Sequence, residues 1–227
     1  MAAFPGIPHE GIQFLRDLKE NNEREWFQPR KAVYDEKLRG PLLELVGALN
    51  EDLQRFAPDY RTEPSKAVYR IYRDTRFRDD KTPYKTHAAA SFHHRSLGKH
   101  VSGGFYFHFS PTEFLVGGGL WRPGPKELLA IRRRISADPA SLRSILANKS
   151  FKKLLGELSG EQLKRPPKGF SADDPALDLL LHKQFLAGSQ LDPELIESPK
   201  AVNEISKRFE AIHPLVEFLN AAIADGV

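Results

Sequence analysis

Gly103-Gly104-Phe105-Tyr106-Phe107-His108-Phe109-Ser110-Pro111-Thr112-Glu113-Phe114-Leu115-Val116-Gly117-Gly118-Gly119-Leu120-Trp121 decides the fold class of the chain. Side chains on a strand point to alternate faces, so Phe105, Phe107 and Phe109 share one face, and Tyr106 and His108 share the other. The phenylalanine face is core. Ser110-Pro111-Thr112 between the two runs reads as a hairpin turn, which makes the flanking strands antiparallel. Working outward, aromatic and β-branched residues at a period near two predict strands at 67–73, 87–94, 103–110 and 113–121. No connection between them is long enough for a crossover helix, so the expectation is an antiparallel four-stranded meander over about 67–121.

Helical spacing surrounds this block. On its N-terminal side Ile12, Phe14, Leu15 and Leu18 form one apolar stripe, interrupted at Asn21-Asn22, where Asn22 is placed to cap the next segment. Gly40-Pro41 predicts a break or kink, and Leu42, Leu45, Val46, Leu49 and Leu53 mark a helix that Pro58 ends. After Pro123-Gly124-Pro125 the chain reads as mainly helical: Asp138-Pro139 opens one helix, 164–174 is a loop, and a final helix spans about 199–222 with Pro214 as a kink. The fold class expected is α+β, a single domain over residues 1–227.

Composition bounds the function. The 227 residues are 40% hydrophobic and 28% charged, ordinary globular usage, with 34 basic side chains against 30 acidic ones. Cysteine is absent, which removes thiolate nucleophiles, disulfides and Cys-bearing metal centres. No apolar run approaches the length of a spanning helix and no leader is evident, so the expectation is a cytoplasmic protein without membrane contact.

Arg70 to Lys85 is the chemically richest segment. Arg70, Arg73, Arg76, Arg78, Lys81 and Lys85 alternate with Asp74, Asp79 and Asp80 and with Tyr69, Tyr72, Phe77 and Tyr84. Guanidinium forks bind carboxylate or phosphate in a bidentate way, and loops leaving a strand end commonly present binding groups. One reading is therefore a site for a small anionic ligand, phosphorylated metabolites among them, held by Arg70, Arg73, Arg76, Lys81 and Lys85. In it Asp74 or Asp80 orients the arginines or acts as base, and Tyr84 and His108 carry protons. A second reading is a nucleic-acid groove that adds Arg132-Arg133-Arg134, a run otherwise expected to be a solvated helix face. A third is an interaction or scaffold protein whose aspartates pair with the arginines and staple the loop.

His87, His93, His94, His100 and His108 crowd one stretch. His87 and His93 would stand about 20 Å apart on one strand, too far to share an ion; His93 with His108 across neighbouring strands stays open, with Glu113 or an aspartate as third ligand. No metal or cofactor is assigned. Small residues at 88–90 and 117–119 leave either room for a ligand or space for close backbone packing. Lys164-Arg165-Pro166-Pro167-Lys168-Gly169-Phe170 is a second basic loop that could close over the first. Serine elbows, phosphate-binding glycine loops and H-E-x-x-H helices are absent.

Several motifs carry a resemblance: Phe14-Leu15 with Asn21-Asn22-x-Arg24-Glu25-Trp26-Phe27, then Arg70-x-x-Arg73-Asp74-x-Arg76-Phe77-x-x-Asp80-Lys81-x-Pro83-Tyr84-Lys85. Tyr106-Phe107-His108, Gly118-Gly119-Leu120-Trp121-x-Pro123 and Leu163-Lys164-Arg165-x-Pro167-Lys168-Gly169-Phe170 complete the set. Together they resemble the bacterial and fungal family called domain of unknown function 2461. The resemblance covers nearly the whole chain and implies a single-domain, cytosolic-type protein. It brings no activity, cofactor or catalytic residue to carry over.

Overall fold

The computed structural model describes residues 4–76, 79–97 and 101–226. Phe77, Arg78 and His100, named above, lie outside the described residues.

Helix α1 (His9–Glu20) buries Ile12, Phe14, Leu15 and Leu18, the stripe read from the sequence, and ends where the Asn21 side chain donates to the Asp17 carbonyl at 2.9 Å. The chain then winds through α2 (Arg24–Phe27), a tight turn at Gln28–Arg30, α3 (Lys31–Val33) and a wide turn at Tyr34–Arg39 into α4 (Gly40–Phe56). The break expected at Gly40-Pro41 is this widening, since Pro41 offers no N–H to the carbonyl of Lys37. α1 packs against that carbonyl: a Cβ on Gly11 would sit 2.3 Å from the Lys37 oxygen, so only glycine allows the approach.

A short helix α5 (Pro64–Ala67) leads to the sheet, whose strands are β1 (Ala88–His93), β2 (Gly104–Ser110), β3 (Glu113–Leu120) and β4 (Phe185–Leu191), antiparallel and in sequence order. The β2–β3 hairpin closes at Ser110↔Glu113 around Pro111-Thr112, as read. The α+β class and the four antiparallel strands hold, but the membership of the sheet differs. Residues 67–73 pair with it at the single Val68↔Ala90 bridge and then peel away to pair with the segment at Tyr84. The fourth strand comes instead from the half read as helical. Its sequence, Phe-Leu-Ala-Gly-Ser-Gln-Leu, has a glycine at its centre and no β-branched residue, so it lacks the usual strand signature.

Beyond β3 come α6 (Pro125–Ala137), α7 (Pro139–Ala147), α8 (Lys149–Leu155), α9 (Leu177–Leu180) and α10 (Lys200–Gly226). Asp138 caps α7 by accepting from the Ser141 N–H at 3.2 Å. α10 remains one helix through Pro214 and lies on the phenylalanine face, where Phe209 stacks on Phe105 at 4.9 Å and meets Phe92 edge-on at 5.6 Å. Phe105, Phe107, Phe109, Phe114 and Val116 are all buried there. Among the described residues, no helix is long and apolar enough to cross a membrane.

Candidate functional site

The Arg70–Lys85 segment folds as a hairpin beside β1. Arg73 N–H donates to the Pro83 carbonyl and Lys85 N–H to the Ile71 carbonyl, both at 2.8 Å, with Tyr72 bridged to Tyr84 between them. Ile71 and Tyr84 are its buried anchors. The Tyr84 ring stacks on Phe27 at 4.1 Å, and Tyr34 and Tyr72 close the aromatic cluster around Phe27. Asn22 does not cap α2. Its carboxamide pairs with the Tyr84 backbone, Nδ2 donating to the carbonyl and Oδ1 accepting from the N–H, both at 3.0 Å. A side-chain amide matches a peptide group in donor and acceptor, so Asn22 serves Tyr84 as a neighbouring strand would.

The hairpin uses most of its charges on itself. Arg73 Nη1 donates to Asp80 at 2.6 Å and also to the Thr82 hydroxyl. The Thr82 N–H and the Arg73 guanidinium hold the Asp80 carboxyl at about 2, well under its ordinary range. Arg76 grips Asp74 with Nε at 3.0 Å and Nη2 at 2.7 Å, and this fork brings Asp74 to about 2 as well. Both carboxylates are therefore weak proton acceptors at neutral pH, a state that suits orienting the arginines better than acting as base. Lys81 Nζ reaches across the loop to the Thr75 carbonyl at 3.0 Å. Burial pushes the Tyr84 hydroxyl above its ordinary value.

Lys85 and Arg70 stand differently. The Lys85 ammonium donates to the Arg70 and Tyr72 carbonyls and lies 5.8 Å from the centre of the Tyr69 ring. Burial lowers its pKa, and the positive charges of Arg70 and Arg73 lower it further. The Arg70 side chain is exposed and makes no hydrogen bond or ion pair among the described residues, although its charge acts on Asp74.

From Tyr69 an aromatic path crosses onto the outer face of the sheet. Tyr69 meets Tyr106 edge-on at 6.3 Å, Tyr106 is 5.5 Å from His108, and His108 is 5.5 Å from His87. His108 Nε2 lies 3.2 Å from Glu113, which also accepts from Gln190 at 2.9 Å. His108 stands opposite Ala89, whereas His93 stands opposite Gly104 and bonds Ser91 at 3.0 Å, so the strand register separates His93 from His108. Among the described residues, no three His, Cys, Asp or Glu side chains are grouped to hold a metal. Of the small residues, Gly117 is filled by backbone: a Cβ there would sit 2.3 Å from the Ala187 carbonyl.

The other basic runs lie elsewhere. Arg132 is buried, donating from Nε to the Leu180 carbonyl at 2.9 Å and from Nη2 to the His182 carbonyl at 3.1 Å; Arg134 lies over Phe218. The expected solvated face holds for Arg133 and fails for Arg132, because successive helical residues point in different directions and Arg132 falls on the inward side. The second basic loop follows a segment bridged to β4 at Ser159↔Leu186 and to the residues just before β4 at Gln162↔His182, while the Arg70 hairpin flanks β1 at the opposite edge of the sheet.

The family model described as conserved hypothetical protein (DUF2461) matches residues 10–218. The chain belongs to this family. No curated protein and no solved structure matches it. In this DUF2461 chain the segments carrying the resemblance meet physically, since Asn22 and Phe27 of the first motif hold Tyr84 of the second. Sequence reasoning missed the Asn22 clamp and the place of His87. Asn22 was legible only as a cap. His87 could be assigned only once the register of β1 against β2 was known.

Proposed function

We propose that the protein binds a small anionic metabolite where Arg70, Arg73 and Lys85 meet, as a cytoplasmic protein. The observation carrying this reading is the setting of Lys85, a part-buried ammonium that donates to the Arg70 and Tyr72 carbonyls beside the Tyr69 ring, its pKa lowered first by burial and then by the positive charges of Arg70 and Arg73. Like charges gathered this way repel, and an anion relieves the repulsion. Arg73 is oriented by Asp80 and Thr82, and Arg70 supplies an exposed guanidinium whose charge also acts on Asp74.

A nucleic-acid strand is the second reading, favoured by Tyr69 and Tyr72, which are 36% and 44% exposed on either side of Arg70 and offer rings for base stacking. Its affinity would fall steeply with salt as counterions are released.

A thermal-shift screen against phosphate, phosphorylated metabolites, carboxylates and short oligonucleotides tests both. A ligand at a hundred times its Kd stabilises by about 2.7 kcal/mol, or about 5–10 °C for a chain of this size. The reading expects such a shift from a small anion and its loss in Arg70→Ala. A shift that survives Arg70→Ala, or none from any anion, would overturn it.

A further inference from the structure

Away from the anion site, α7, α8 and α10 border an open groove of about 560 Å³, within the range of roughly 300–1,000 Å³ common to small-molecule sites. Its floor is aliphatic, formed by the half-buried Ile145, Leu154 and Ala211. Its two walls differ in hydrogen-bonding sense.

On the α10 wall, Glu210 and Pro214 stand one turn apart. A proline inside a helix has no N–H for the carbonyl four residues back, so the Glu210 carbonyl is left without its helical donor. The Glu210 carboxylate makes no hydrogen bond or ion pair among the described residues, while Lys207, three residues before it, turns to Glu204 at 2.8 Å. One residue thus supplies a carboxylate and a carbonyl along the same wall. An ammonium group, with three N–H donors and no acceptor, complements that pair.

The facing wall presents donors. Asn148 commits its side-chain oxygen to the Ser150 and Phe151 N–H groups at 2.8 and 3.2 Å, which leaves its two amide N–H donors over. Those donors and the hydroxyls of Ser144 and Ser150 have no partner among the described residues. Lys149, Lys152 and Lys153 of α8 are exposed outside the lining, and their charge favours an anionic group on that side.

Acceptors on one wall, donors on the other and an aliphatic floor between them match the three parts of one small molecule. We propose that this groove binds a free α-amino acid with an aliphatic side chain. Its ammonium sits on Glu210, its carboxylate on Asn148 and Ser150, and its side chain over Ile145, Leu154 and Ala211. No bond of the ligand is broken there. The groove shares no residue with the anion site, so either reading can fail alone.

Isothermal titration of L-leucine into wild type, Glu210→Gln and Pro214→Ala tests the proposal. Glu210 and Pro214 are both exposed. Alanine returns an N–H to the Glu210 carbonyl and is the better helix former, so Pro214→Ala is expected to melt no lower than wild type. Wild type is expected to bind leucine at least about tenfold more tightly than N-acetyl-L-leucine, which lacks the ammonium, and than glycine, which lacks the side chain. Both variants are expected to bind leucine at least about fivefold more weakly than wild type. Equal affinity in Pro214→Ala would overturn the role of the Glu210 carbonyl, and equal affinity for N-acetyl-L-leucine or in Glu210→Gln would overturn the ammonium contact. L-leucinamide, which keeps the ammonium and lacks the carboxylate, is expected to bind more weakly than leucine; binding as tight would overturn the free amino acid in favour of a chain N-terminus. No leucine bound by wild type would overturn the proposal outright.

Discussion

Replacing Asn22 by alanine removes both hydrogen bonds that its carboxamide makes to the Tyr84 backbone. Tyr84 is 1% exposed, its ring stacked 4.1 Å from Phe27, so its backbone N–H and carbonyl rely on that half-buried carboxamide for their pairing. Leaving a buried donor or acceptor unpaired costs about 1–3 kcal/mol, and the two groups together give about 2–4 kcal/mol once partial relaxation is allowed. In a chain of this size each kcal/mol moves Tm by about 2–4 °C, so Asn22→Ala is expected to melt on the order of 10 °C below wild type. Asn22→Asp keeps the acceptor for the Tyr84 N–H but loses the donor to its carbonyl, and should fall between the two. The assay is a calorimetric melt of the three proteins at pH 7.5. A drop under about 2 °C for Asn22→Ala would refute the clamp, because the Tyr84 peptide would then have another partner.

Other outcomes follow from the same geometry. Arg73→Ala releases Asp80 and Thr82, and is expected to speed cleavage within 79–85 in limited proteolysis relative to wild type; equal digestion would show that Arg73 does not hold these residues. Arg132→Ala leaves the Leu180 and His182 carbonyls unpaired and should cost about 2–4 kcal/mol in urea unfolding, whereas exposed Arg133→Ala should stay within about 0.5 kcal/mol; matching values would contradict the buried assignment. Burial above all lowers the pKa of His87, His182 and His213 in the folded chain, so between those values and the unfolded value of about 6.5 the unfolded state binds more protons. Stability should hold above about pH 6.5 and decline as pH falls through it, which urea melts from pH 8 to 5 would show; stability rising on acidification over that range would reverse the sign.

The parts of the fold visible in the sequence were those where one strong physical signal acts alone. Phe105, Phe107 and Phe109 alternate without interruption up to the turn at Ser110-Pro111-Thr112, so the core face and the hairpin could both be read there. α1 and α4 were visible because their leucines repeat at helical spacing. β4 was not, since Ala187, Gly188 and Ser189 carry almost no strand preference and are held by pairing with β3. Residues 67–73 looked like a strand for a real reason, their aromatic alternation, but that alternation serves a hairpin with Pro83 to Lys85 and only brushes β1.

The site was legible in outline and not in assignment. Sequence showed that aspartates and arginines alternate from Arg70 to Asp80, but whether each pair is internal depends on loop geometry, and the structure pairs Arg76 with Asp74 and Arg73 with Asp80. His108 was singled out as a candidate, yet its neighbour is His87 and not His93, because a register is a property of two strands and neither alone encodes it. Arg132 was hidden inside a run of three arginines whose composition suggested solvent.

The most direct test of the central claim is isothermal titration of inorganic phosphate into wild type and Arg70→Ala at pH 7 and low salt. The Arg70 side chain makes no hydrogen bond or ion pair among the described residues, so Arg70→Ala keeps the carbonyl that Lys85 binds while removing one positive charge beside it. The account predicts one phosphate bound per wild-type chain and at least about tenfold weaker binding in Arg70→Ala, since a charge-assisted hydrogen bond contributes about 1.5–3 kcal/mol. Equal affinity in the two proteins, or no phosphate bound by either, would contradict it.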